Sequence, residues 1–142
     1  MTTAREIMHM GAECVRPDET LAATAAKMRD LHVGAMPISD GNDQLYGIIT
    51  DRDIVVRGLA EGLDPQRATA REMARGTPIS VDAGSDVGDV LRKMEQYKIR
   101  RMPVMDNNRL VGMISEADVA THLSENEVNQ FVSAVYSAPP NN

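Results

Sequence analysis

GIITDRDIV, residues Gly47–Val55, and GMISEADVA, residues Gly112–Ala120, spell one pattern twice: a glycine, two apolar residues, a hydroxyl residue and, three places further on, an aspartate. A hydroxyl followed at that spacing by a carboxylate is a helix start. The hydroxyl takes a free N–H of the first turn and the carboxylate bonds back to the cap. Negative charge at that end also suits the helix dipole. The apolar residues in front read as a strand, so each copy marks a strand running into a helix. A capping box alone explains the spacing. It does not explain the glycine-led strand before it in both copies, and such a junction is a place where backbone N–H groups and a hydroxyl can face a ligand.

Outward from these motifs the duplication continues. Ala4-Arg5-Glu6 matches Ala70-Arg71-Glu72, Val15 matches Val81, Lys27-Met28 matches Lys93-Met94, and Met36-Pro37 matches Met102-Pro103, all at one separation. Past Asp40 and Asp106 the separation shrinks by one residue, which places one extra residue in the turn of DGNDQLYG relative to DNNRLVG. A polar turn is where a length difference costs least. One register held over so many positions is an internal repeat, and it governs the reading of the fold.

Each copy predicts a short helical turn, at Ala4 or Ala70, and then the order β-α-β-β-α. A brief strand lies near Cys14-Val15, or over residues 79–81. A helix follows from about Leu21 to Leu31, with Leu21, Ala25, Met28 and Leu31 at helical spacing. Its counterpart carries Val87, Val90, Leu91, Met94 and Ile99, with Ser85 or Asp86 as cap. The strands MPIS and MPVM come next, then a turn and the strands YGIIT and LVGMIS. One such unit cannot bury both faces of its small sheet, whereas two can. The expected fold is therefore α+β: two β-α-β-β-α repeats packed sheet to sheet with pseudo-two-fold symmetry, plus a C-terminal helix.

The boundaries read as repeat 1 over 1–62, a linker over 63–68, repeat 2 over 69–123, a C-terminal helix over 124–136 and a flexible tail over 137–142. Gly62 ends a helix, Pro65 prevents its continuation, and Thr69 is placed to cap the next. Ser124 and Glu127 form a capping-box signature, and Val128, Phe131, Val132 and Val135 make an apolar stripe. The stripe packs either on its own domain or on a second subunit.

Composition bounds the function. The 142 residues are 42% hydrophobic, with a net charge of −6 and a pI of about 5.0. An acidic chain with 3% aromatic residues lacks the basic face and stacking platforms that nucleic acid requires. No apolar run approaches the roughly 20 residues that span a bilayer, and the first residues lack the pattern of a secretory signal. A cytoplasmic location without membrane or nucleic-acid partners is expected. Cys14, the single cysteine, reads as a small buried hydrophobe rather than a reactive thiol.

The paired β-α-β-β-α units, the MPIS and MPVM strands and the two glycine-led motifs together resemble a tandem pair of cystathionine β-synthase (CBS) domains, in the stand-alone form found in bacteria. The resemblance spans about Ala4 to Leu123. It implies two clefts between the units. It also implies a regulatory, non-catalytic module with no obligatory cofactor, an adenosine-containing ligand (AMP, ADP, ATP, S-adenosylmethionine or a dinucleotide such as NAD(H)) and assembly into a homodimer. Nothing is fused to the pair in this sequence, so its output is expected in an unidentified protein partner.

Residue chemistry divides the two clefts. A carboxylate at Asp53 or Asp118 repels phosphate but accepts hydroxyl donors, and the vicinal diol of a ribose fits it. Phosphate needs basic side chains, and KIRRMP supplies Arg100 and Arg101 where the first repeat has Gly34 and Ala35. The preferred site therefore combines Ser115, Asp118, Arg100 and Arg101. By family analogy its adenine pocket adds Met10, Glu13 and Val33. The other site, with Thr50, Asp53, Ile79 and Ile99, suits an uncharged adenosyl group or stays empty, Arg52 compensating in part. Arg100-Arg101 as a solvated surface pair is the competing reading. A metal site is not expected, since no His or Cys cluster supports Asp51/Asp53 or Glu116/Asp118, and His9 and His32 are isolated. No nucleophile–base pair marks an enzyme. The alternative function is a structural or interaction protein that works through a homodimer surface, its clefts unoccupied.

Overall fold

The computed structural model describes residues 2–10, 13–40, 44–74, 78–122 and 124–136; the tail expected over 137–142 lies outside them. The fold is α+β. In order the elements are α1 (Ala4–Ile7), β1 (His9–Met10), α2 (Leu21–Leu31), β2 (Ala35–Ser39), β3 (Leu45–Thr50) and a π-wound helix (Asp53–Leu59). Then come α3 (Ala70–Met73), β4 (Val81–Asp82), α4 (Val87–Tyr97), β5 (Arg101–Asp106), β6 (Arg109–Ser115), α5 (Glu116–Ala120) and α6 (Glu125–Val135).

The chain forms two compact units, one of Met1–Gly11 with Ile79–Asn142 and one of Ala12–Pro78. Each unit takes its first helix from the other repeat, and the exchange is reciprocal. Ala4 N–H donates to Ser85 O (2.8 Å) and Arg5 N–H to Ala83 O (3.0 Å). At the equivalent positions Ala70 N–H donates to Glu19 O (2.8 Å) and Arg71 N–H to Pro17 O (3.0 Å). These carbonyls satisfy the first N–H groups of α3, which is why Thr69, expected as its cap, makes no side-chain cap bond. At α4 the cap is Asp86, whose carboxylate accepts from Gly88 N–H.

The first unit holds a sheet of order β1-β6-β5-β4, with β4 parallel to β5 and the other pairs antiparallel. The second holds the β2-β3 hairpin, and the strand expected at Cys14-Val15 is a single parallel bridge from Val15 to Ile38. The repeat persists at fine scale. A bulge falls at Ile38/Ser39 and again at Val104/Met105. Helices α2 and α4 both end on a left-handed non-glycine residue, His32 (φ 56°) and Lys98 (φ 55°). Lys27 Nζ donates to Cys14 O (3.2 Å) as Lys93 Nζ does to Ser80 O (2.6 Å).

Each unit has its own core. Val15, Leu21, Met28, Met36, Ile38 and Ile49 centre one; Val90, Met94, Met102, Val104, Ile114 and Val119 centre the other. Most of the methionines expected as core filler lie here. Helix α6 starts on the capping box of Ser124 and Glu127 and inserts Phe131 and Val135 into the second of these cores. Its stripe therefore packs on its own unit, while Val132 stays exposed.

Candidate ligand-binding site

Strand β6 delivers Ser115 to the start of α5, and the two chain directions meet in a closed capping box. Asp118 Oδ2 accepts from Ser115 N–H (2.8 Å) and lies 3.0 Å from Ser115 Oγ, which in turn accepts from Asp118 N–H at 3.4 Å. Oδ2 is thereby committed to the cap. The other oxygen, Oδ1, meets His9 Nε2 at 2.9 Å. The Asp118 side chain is 14% exposed and that of His9 77%.

His9 arrives on β1, which pairs antiparallel with β6 through His9↔Met113 and Met10↔Gly112. This approach requires glycine at 112: a Cβ there would lie 2.6 Å from His9 O and 2.6 Å from Met8 Sδ. In the sequence His9 stands isolated. The repeat carries the missed signal, since the counterpart of His9 is Arg75 and both copies place a basic residue there.

Arg101 pairs in register with Ser115, and Glu116 N–H donates to Arg100 O (2.7 Å), so both arginines sit at the junction. The Arg100 guanidinium lies over the Tyr136 ring, 4.2 Å from its centre. Tyr136 OH donates to Glu116 Oε1 at 2.6 Å, while Glu116 Oε2 is buried without a hydrogen-bond partner. The Glu116 hydrogen bond, then burial, pushes the Tyr136 phenol above its ordinary range, with Arg100 and Arg101 pulling the other way. Thus Ser115, Asp118, Arg100, Arg101 and Met10 come together in one unit, with His9, Glu116 and Tyr136 added to them. Glu13 and Val33 belong to the other unit, where both are exposed.

The equivalent junction at Thr50 is closed more tightly. Asp53 Oδ2 accepts from Thr50 N–H (2.9 Å), and Thr50 Oγ1 accepts from Asp53 N–H (3.1 Å). Asp53 Oδ1 lies 3.6 Å from Arg57 Nη1, itself donating to Met73 O at 2.8 Å, and the Asp53 side chain is only 4% exposed. Asp51 N–H donates to Gly34 O (2.9 Å), the counterpart of the Glu116–Arg100 bond. Arg52 is exposed, whereas Ile79 and Ile99 pack half-buried against the core of the other unit.

Among the described residues, no three His, Cys, Asp or Glu side chains gather so as to hold a metal ion, and no helix is long and apolar enough to cross a membrane.

Comparison with known proteins places this arrangement. The CBS domain profile matches residues 4–59 and again 70–125. The chain is 50% identical over 137 residues to Hypoxic response protein 1 of Mycobacterium tuberculosis, covering 96% of each. Among solved structures it is similar to Hypoxic Response Protein I, crystallised with two coordinated zinc ions, at 51% identity and a TM-score of 0.79, over 87% of this chain and 100% of that one. It shares its fold with CBSX2 in complex with AMP at 20% identity and a TM-score of 0.73, over 86% of this chain and 96% of that one. With two profile matches over most of its length and a half-identical relative that it covers almost end to end, the chain belongs to the CBS domain family, as a tandem pair.

Proposed function

We propose that the protein is a regulatory sensor rather than an enzyme, and that it binds an adenosine-containing ligand and changes its contacts with a partner protein in response. The observation that carries this reading is the Asp118 carboxylate. One of its oxygens is spent on the cap, and the other is covered by a displaceable, largely exposed imidazole. A carboxylate so held accepts a ribose hydroxyl without reorganising. Arg100 and Arg101 lie at the same junction. The AMP complex of CBSX2, which has the same fold, supports the ligand class. Asp53, with Arg57 on its outer oxygen and almost no exposure, is the weaker of the two candidates, so the Asp118 site takes ligand first. Met10 is the residue proposed to contact adenine beside Asp118, and Thr50 and Arg52 are those proposed beside Asp53.

Thermal melting with AMP, ATP, S-adenosylmethionine and NADH tests this. A ligand at 100 times its Kd adds about 2.7 kcal/mol. If all four leave the melting point unmoved and calorimetry finds no heat, the sensor reading fails. The second reading, an interaction protein acting through a homodimer surface, is favoured by one observation: Val55, Val56 and Leu59 are exposed together on the π-wound helix. Sedimentation of Val55→Asp against the parent protein tests that surface, a loss of dimer supporting it and an unchanged mass refuting it.

A further inference from the structure

We infer that Tyr136 and Glu116 are specificity-determining residues: they hold the Arg100 guanidinium against the end of α6 and away from a ligand's phosphate, so that the Asp118 site discriminates against phosphate in favour of an uncharged adenosyl group. The inference rests on the proposed ribose site and reverses the simplest expectation from the sequence, in which adjacent arginines make that site the better one for a nucleotide.

Three contacts build the clasp. The Arg100 guanidinium lies 4.2 Å from the centre of the Tyr136 ring, a cation–π distance. The Tyr136 hydroxyl is spent on Glu116 Oε1 at 2.6 Å, which fixes the ring. Glu116 N–H bonds to Arg100 O at 2.7 Å, which fixes the arginine's backbone to the same residue. The clasp is anchored rather than trailing, since Tyr136 closes a helix whose Phe131 and Val135 are in the core. Glu116 adds a second effect. Its Oε2 is buried with no hydrogen-bond partner and its Oε1 holds the ring on which Arg100 rests, so a phosphate that enters this clasp adds a like charge to it, which selects against the anionic ligand. Nothing of this exists at the first junction, where Gly34 and Asp51 stand in place of Arg100 and Glu116, and α6 has no counterpart in the repeat.

The test is isothermal titration of adenosine and of AMP into the full chain and into Tyr136→Ala, Tyr136→Phe and Tyr136→Ala/Arg100→Ala. Release of the arginine predicts AMP binding about fivefold tighter to Tyr136→Ala, the scale of one cation–π contact, with adenosine unchanged. Tyr136→Phe, which keeps the ring in place, gives a smaller gain, and the double variant gives none. An AMP-to-adenosine affinity ratio that stays the same in Tyr136→Ala and Tyr136→Phe overturns the inference while leaving the ribose site standing. Failure of both ligands to bind any of the proteins overturns the ribose site and the inference with it.

Discussion

His9 Nε2 rests 2.9 Å from Asp118 Oδ1, on the one oxygen of that carboxylate the cap does not use. At the proposed ribose site, a hydroxyl would therefore take its acceptor from an imidazole, not from water alone. Because His9 is largely exposed, the contact is worth little in stability, and the effect is on binding. His9→Ala should bind adenosine about threefold tighter, with a melting point close to that of the parent, as calorimetry and a thermal scan will show. Weaker binding in His9→Ala would mean that the imidazole contacts the ligand instead.

The two capping aspartates are chemically alike and differ in burial. Asp53→Ala removes the acceptor of the Thr50 N–H in a buried setting and strips Arg57 of its carboxylate. It should destabilise the protein by about 2 kcal/mol in urea unfolding. Asp118→Ala, at a more exposed junction, should cost about 1 kcal/mol. Equal losses at the two positions would remove the physical basis for ranking the sites.

Gly112 holds the door for β1. Any side chain there meets His9 O and Met8 Sδ, and a backbone atom cannot move aside as a side-chain end can. Gly112→Ala should cost about 2 kcal/mol and detach β1, and with it His9, from β6. Hydrogen exchange of β1 reads this directly, and protection equal to the parent's would contradict it.

Much of this was legible from the chain. The duplicated Gly-led motif gave the strand-to-helix junctions and the capping box at Ser115, apolar spacing gave the helix over Leu21–Leu31, and the Ser124/Glu127 spacing gave the box that starts α6, because those features are local. What escaped is non-local. The reciprocal exchange of α1 and α3 joins residues far apart in sequence, and no periodicity records it. Thr69 looked like a cap because its type is right, but distant carbonyls had already taken the N–H groups it would serve. His9 and Tyr136 reach the site only through sheet pairing and through α6, so neither lies near the motif in sequence.

The start of α6 carries a pH signature. Hydrogen bonds from Ser124, the backbone N–H first, hold the Glu127 carboxyl below the usual glutamate range. A group whose folded value is depressed contributes stability that is present above its unfolded value and lost as pH falls through the folded one. Acidification through and below the ordinary glutamate range should therefore loosen the first turn of α6. In Glu127→Gln that part of the pH dependence should vanish, as amide exchange across α6 will reveal. An unchanged profile in the variant would show that another carboxylate is responsible.

The central claim, that Asp118 grips the ribose of an adenosine-containing ligand, is tested most directly by titrating adenosine into the parent protein and into Asp118→Asn, with circular dichroism to confirm the fold of both. The asparagine keeps the shape of the side chain and removes its charge. Loss of a charge-assisted hydrogen bond predicts affinity at least about tenfold weaker in the variant. Equal affinity in the two proteins would contradict the account.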